Sequence, residues 1–288
     1  MTRMVLLYIE IEIYSREERM KNRIGVFSAV GLMTITLALH PWPCEGQTRP
    51  KLDCQKMVFE YINALENFDI RTLARLTGQQ YSGELESQAK KELESPEANE
   101  QLAPLLEMLR LFPKIGEIPD WVTEVVLEYE YIEGDDLIEM QGEFVFTDDN
   151  WIIQDLEPRG EESLDEEEKK NYATKLSPAP PKGQNTVDAG LNELVAKLIS
   201  AIKQKSWDDA EETGVHPDSC GLHPSDSPEE REKALERLSQ LPSIGAIPAP
   251  ATRVQLILKG TIDSEESGVE IEFHWPDNKL EILYVSFK

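Results

Sequence analysis

Phe112-Pro113-Lys114-Ile115-Gly116-Glu117-Ile118-Pro119 returns 129 positions later as Leu241-Pro242-Ser243-Ile244-Gly245-Ala246-Ile247-Pro248. The same offset carries Phe144, Phe146, Asp148 and Ile153 onto Phe273, Trp275, Asp277 and Ile282. One spacing held over roughly forty residues reads as two copies of a single unit. Within each octet the glycine suits a chain reversal at positive φ, and the closing proline forces an extended exit.

Upstream of each octet the apolar residues recur at three- and four-residue steps, the period of a half-buried helix. Met57, Val58, Tyr61, Ile62 and Leu65 predict a helix over about 54–66; Leu191, Leu194, Val195, Leu198 and Ile202 predict its counterpart. Asn67-Phe68-Asp69 and Ser206-Trp207-Asp208 mark the corners into a second helix. Both aromatics are expected in the core, and each Asp is placed to cap the incoming helix. A third helix opens at Ser95-Pro96-Glu97 and at the capping box Ser227-Pro228-Glu229-Glu230. Pro104 is expected to kink the former or to mark where its body begins.

Downstream the period changes to two. Val125, Leu127, Tyr129 and Tyr131 alternate with Glu124, Glu128 and Glu130, and Ile138, Met140, Gly142, Phe144 and Phe146 with Glu139, Gln141 and Glu143. The second copy offers Val254, Leu256 and Leu258, then Val269, Ile271, Phe273 and Trp275 against Glu270, Glu272 and His274. Such alternation describes antiparallel strands with one face on a core and one facing water. Turns are expected at Gly134-Asp135, Asp148-Asp149-Asn150 and Pro276-Asp277-Asn278. The fold class is α+β: two tandem domains, each with N-terminal helices packed on a curved antiparallel sheet of three or more strands. The copies span 47–158 and 188–288. Between them 159–187 reads as a linker, its Glu161–Glu168 stretch too acidic to pack and its Ser177–Gln184 stretch an extended proline-rich spacer.

Residues 1–46 read as address. Lys21 and Arg23 precede an apolar run, Ile24–Leu39, that is shorter than a membrane span of about 20 residues. Cys44-Glu45-Gly46 then supplies small residues for cleavage before Gln47, the layout of a secretory signal peptide starting at Met20. Met1–Arg19 reads as an upstream extension, and a retained membrane anchor is the alternative. Export to the periplasm or beyond leaves Cys54 and Cys220, which either form one disulfide between the copies or stay as separate buried thiols.

The charge is strongly one-sided: 29 Lys and Arg stand against 55 Asp and Glu, a net −26. That sign repels phosphate backbones and anionic headgroups, which argues against nucleic acid and membrane-surface partners. Cationic partners and divalent ions stay open.

The corner tripeptides, the octets and the strand-turn runs Phe144–Ile153 and Phe273–Ile282 resemble the cystatin-like, nuclear-transport-factor-2-like superfamily. They are most similar to small modules of exported bacterial proteins. The resemblance covers most of 54–158 and 190–288. It implies a curved sheet wrapped around helices, which in enzymes of the ketosteroid-isomerase type encloses a cone lined by Asp, Tyr or His.

No residue carries a catalytic motif over, and no cofactor is indicated. His216, Asp218, Cys220 and His223 lie within eight residues and offer the donors zinc or copper prefers. A plain polar loop is the competing reading of that segment. His274, beside Glu270 and Glu272, is a further candidate ligand. The Glu rows read as a solvated sheet face. The function expected is a non-catalytic binding module for a protein, peptide or small molecule. A ketosteroid-isomerase-like enzyme working in the second copy, where the mature histidines lie, is the alternative.

Overall fold

The structure is a computed structural model that describes residues 50–93, 96–215 and 227–287. It mixes helices with antiparallel sheet, as the two sequence periods require. Residues 1–46, Cys220 and the His216–His223 loop fall outside the described residues.

Helix α1 (Cys54–Glu66) starts where Asp53 accepts the Lys56 N–H at 2.9 Å, and it buries Val58, Tyr61, Ile62 and Leu65. Asp69 caps α2 (Ile70–Leu76), taking the Thr72 N–H at 3.1 Å and the Thr72 hydroxyl at 2.7 Å. Phe68, at the corner, adopts φ 51° and is only half-buried, against Ile70 and Leu73 in a small cluster apart from the main core. The expectation that it joins the core is therefore corrected. Helix α3 (Gly83–Leu93) was not signalled by any apolar period, and α4 (Pro96–Arg110) runs through Pro104 without ending there.

Strands β1 (Val122–Glu133), β2 (Asp136–Thr147) and β3 (Asn150–Ser163) follow as a meander. The β2–β3 turn uses Asp148 and Asp149 at φ 49° and 62°, the left-handed pair that a twisted two-residue hairpin needs. The acidic stretch beyond is not a loose linker. β3 runs to Ser163, Leu164 is buried, and Asp165 and Glu168 close a capping box on α5 (Glu166–Tyr172). Asp165, Glu166 and Glu167 stay exposed, as their charge predicts, but the stretch is helical because Asp165 caps a helix N-terminus, where negative charge is favourable. Ser177, nominally in the spacer, is buried and exchanges two 2.7 Å hydrogen bonds with the backbone of Ala251.

Next come β4 (Thr186–Val187), α6 (Leu191–Gln204), α7 (Trp207–Glu211), α8 (Pro228–Ser239) and β5 (Ile247–Pro248). Ser206, not Asp208, is the N-cap residue of α7, and it makes no side-chain cap bond. The chain ends in β6 (Ala251–Ile262), β7 (Glu265–His274), a short 3-10 turn and β8 (Glu281–Phe287).

Six strands form one antiparallel sheet in the order β3-β2-β1-β6-β7-β8. Its centre joins the two halves. Leu127 of β1 lies opposite Leu256 of β6, Val126 opposite Ile257 and Val125 opposite Leu258. Leu127 and Leu256 are themselves related by the offset of 129, so an approximate two-fold axis passes between them. The outer pairings repeat at the same offset: Phe144 opposite Ile153 and Phe273 opposite Ile282, each preceded by a register shift. Two further bonds obey it, Ile132 N–H to Pro250 O at 2.9 Å and Thr261 N–H to Trp121 O at 3.0 Å.

Helices cover one face of this sheet. One apolar cluster runs through both halves, from Val58, Leu109 and Phe144 to Leu198, Leu238 and Phe273. The sequence predicts two bodies; the structure does not separate them, because β1 and β6 present their apolar alternation to one another and share a sheet.

The octets meet as well. Ile115 and Ile244 form an antiparallel bridge, with Gly116 N–H to Ser243 O and Gly245 N–H to Lys114 O both at 2.7 Å. Neither glycine has a positive φ. The chain-reversal reading is corrected: these positions lack a side chain because the other octet passes too close.

Candidate functional site

Alternation sends every second strand residue to the face opposite the helices, and strand register sets those residues in rows. One row crosses all six strands as Glu157, Gln141, Glu128, Gln255, Glu272 and Tyr284. The row on one side reads Gly160, Glu139, Glu130, Arg253, His274 and Glu281. On the other it reads Asp155, Glu143, Val126, Ile257, Glu270 and Ser286. Carboxylates make up half of each row, while the cations on these strands are Arg253, Lys259 opposite Glu124 in the next row and, from a bulge in β3, Arg159.

Arg253 organises the centre. Its Nε donates to Glu272 Oε1 at 3.0 Å and its Nη1 to Glu130 Oε1 at 3.1 Å, while Glu128 lies 3.6 Å from Nη2. Nη2 also donates to Gln255, whose amide passes the contact on to Glu270 at 2.6 Å. Glu130 further accepts the Thr252 hydroxyl at 3.0 Å. Lys259 pairs with Glu124, and Arg159 with Asp155 at 2.6 Å. An arginine suits this hub because its planar fork serves several carboxylates at once.

This face is not the solvated surface expected of the Glu rows. The side chains of Glu124, Glu128 and Glu130 are only about a quarter exposed, at 26%, 23% and 23%. Burial raises the Glu128 carboxyl above its ordinary range, opposed by Arg253. Burial likewise raises Glu143, reinforced by Glu124 and Asp155. Crowded like charges losing water favour the protonated form.

A cleft of about 430 Å³ opens at the Arg253 end of the face. Glu130, Arg253, Glu272 and His274 form its floor, and Tyr172, Thr174 and Lys175 from the region read as linker form a wall. His274 Nε2 stands 4.0 Å from Glu281 Oε2. Burial lowers its pKa, with Glu281 and Glu272 acting the other way. At 4.0 Å, Glu281 does not fix the tautomer of this imidazole.

Of the residues singled out from sequence, His274, Glu270 and Glu272 do share one face. His216, Asp218, Cys220 and His223 lie outside the described residues. Among the described residues no group of three or more His, Cys, Asp or Glu side chains is arranged to hold a metal ion. Cys54 is a buried free thiol whose pKa burial raises. Sequence reasoning missed Arg253, although a lone arginine between Thr252 and Val254 on a strand of otherwise apolar alternation was a visible signal. Tyr172 and Lys175 carried none, since only tertiary structure brings them to the sheet.

Compared with known proteins, the chain matches no family model, no curated protein and no solved structure. Among the described residues no helix is long and apolar enough to cross a membrane.

Proposed function

We propose that this chain is an exported, non-catalytic binding protein, assembled from two copies of a cystatin-like unit that meet along β1 and β6. It binds its ligand on the polar sheet face. The observation that carries this reading is the contrast between the two sides of the sheet. The helix side, where an enzyme of the ketosteroid-isomerase type would hold its cone, is filled by Phe112, Tyr129 and Phe144 in one half and by Phe273, Trp275 and Ile282 in the other. The opposite side is an organised array of half-buried polar groups. The repeat of every central pairing at one offset supports the duplication.

One observation favours the enzyme alternative: His274, the histidine among the described residues, lines the cleft beside Glu272. That cleft opens on the polar face of the sheet and not within the apolar core, which supports binding over catalysis in an enclosed cone.

The test is a pull-down from periplasmic or culture-supernatant extract with two baits, the wild-type chain and a Glu128→Gln/Glu139→Gln/Glu143→Gln variant. A partner retained by the first and lost by the second is expected. Equal capture by both ends the assignment to this face.

A further inference from the structure

We infer that the polar sheet face docks an extended polypeptide segment carrying lysine or arginine at alternate positions. This inference rests on the reading of that face as the binding surface and names the chemistry of its occupant.

Charge complementarity is the first ground. The face concentrates carboxylates in a chain of net charge −26, and Arg159, Arg253 and Lys259 on its strands are already held by acidic neighbours. The second ground is independent of charge. Gln141, second of six in the middle row, is 7% exposed and lies on the polar face between Glu128 and Glu157. Asp155, one row away, is held by Arg159 through Oδ2 at 2.6 Å, but its Oδ1 is buried without a partner among the described residues. Buried polar atoms are normally satisfied, so an unsatisfied carboxylate oxygen on a binding face calls for a donor from outside. Lysine and arginine side chains are donor-only groups.

The spacing of the rows selects a polypeptide over a single ion. Successive rows lie two residues apart along the strands, about 6.8 Å, which is also the spacing of alternate side chains in an extended peptide. The carboxylates are spread over the sheet and do not converge on one point, and among the described residues no metal-holding cluster is present. Burial raises the carboxyls of Glu128 and Glu143, and neighbouring carboxylates, Glu139 beside the one and Glu124 and Asp155 beside the other, add to it.

The experiment titrates the full chain with a synthetic octapeptide of alternating lysine and serine, followed by calorimetry at low and at physiological salt. Binding is expected, weakening as salt rises. The Glu128→Gln/Glu139→Gln/Glu143→Gln variant should lose about tenfold in affinity, as three screened ion pairs at the surface would give. A Glu166→Gln/Glu167→Gln/Glu232→Gln variant, with the same charge removed elsewhere, should stay within about twofold. If the face variant unfolds, the three single substitutions are read instead, each expected to weaken binding about twofold. Equal losses in face and control variants would show general attraction to an acidic chain and overturn the inference, as would no binding at low salt. Stoichiometric displacement of the peptide by calcium overturns it in favour of an ion site. Absence of peptide binding, with the pull-down partner still lost by the face variant, rejects the basic segment while leaving the face as the binding surface.

Discussion

Gly116 donates its backbone N–H to the carbonyl of Ser243 at 2.7 Å, and a Cβ on Gly116 would stand 2.5 Å from Ser243 Oγ and 2.9 Å from the Ser243 nitrogen. The octets recur because they clasp one another across the approximate two-fold axis. A Cβ at Gly245 would meet Lys114 Cβ at 3.0 Å and its carbonyl at 3.3 Å, a milder approach.

Gly116→Ala should therefore destabilise the chain by about 2–3 kcal/mol, the usual cost of overpacking against backbone. Gly245→Ala should cost less, about 1 kcal/mol, because Lys114 can give way. Urea midpoints measure both. Equal losses, or none at Gly116, would contradict the clasp. Adding Ser243→Ala to Gly116→Ala should recover part of the loss by removing the Oγ contact, while the contact with nitrogen persists.

The central strand pair makes a stronger demand. β1 contributes Leu127 to a seam in which its equivalent, Leu256, is the partner. An isolated first half ending near residue 164 would expose β1 as an unpaired edge, and unpaired edges recruit strands. That half should form a dimer through two β1 strands in the same register, seen by light scattering coupled to size exclusion. Introducing Leu127→Lys should weaken the dimer sharply. A stable monomeric half would count against the idea that the halves were built to pair.

Much of this fold was legible in the sequence. The α1 span, the meander strands and the turns at Asp148 and Asp277 followed from period and turn chemistry, because each depends on neighbours a few residues away. The joining of the halves did not. Val125, Leu127, Val254 and Leu256 advertise buried strands, yet a strand buried in its own sheet and one shared between two sheets alternate alike. The acidic stretch stays exposed as its charge predicts, but its helix was missed although the Asp165 and Glu168 capping box is a local signal. The site was half legible. The Glu rows were visible, but their partial burial and the hub at Arg253 depend on cross-strand register.

Gly142 is the seat of an aromatic. A Cβ there would lie 2.4 Å from the Phe112 ring, which packs edge-on against Tyr129 and Phe144 with centroids 6.0 Å away. Gly142→Ala should cost about 2 kcal/mol, and Phe112→Leu in the same chain should return a part of it by shortening the intruding side chain. The two losses measured singly should exceed the loss of the double variant. Simple additivity in urea unfolding would mean that the two residues do not meet.

Glu128 and Glu143 set a pH dependence of definite sign. Both carboxyls titrate higher in the folded chain than in the unfolded one, with burial the leading cause at each. The folded state then binds protons more tightly, so these groups favour folding below their unfolded pKa, about 4.3 for Glu, and that contribution is lost as pH rises through the folded value. Ionised at neutral pH, they weaken the fold. Glu143→Gln should accordingly stabilise the chain at pH 7 by about 0.5 kcal/mol, a small figure because solvent still reaches the group. The gain should shrink on acidification below the folded pKa, where the native carboxyl is itself neutral. Chemical denaturation of both chains at neutral pH and near pH 4 decides the matter. A loss of stability at pH 7 would mean that Glu143 is held by a favourable partner and that the crowding of the face has been misjudged.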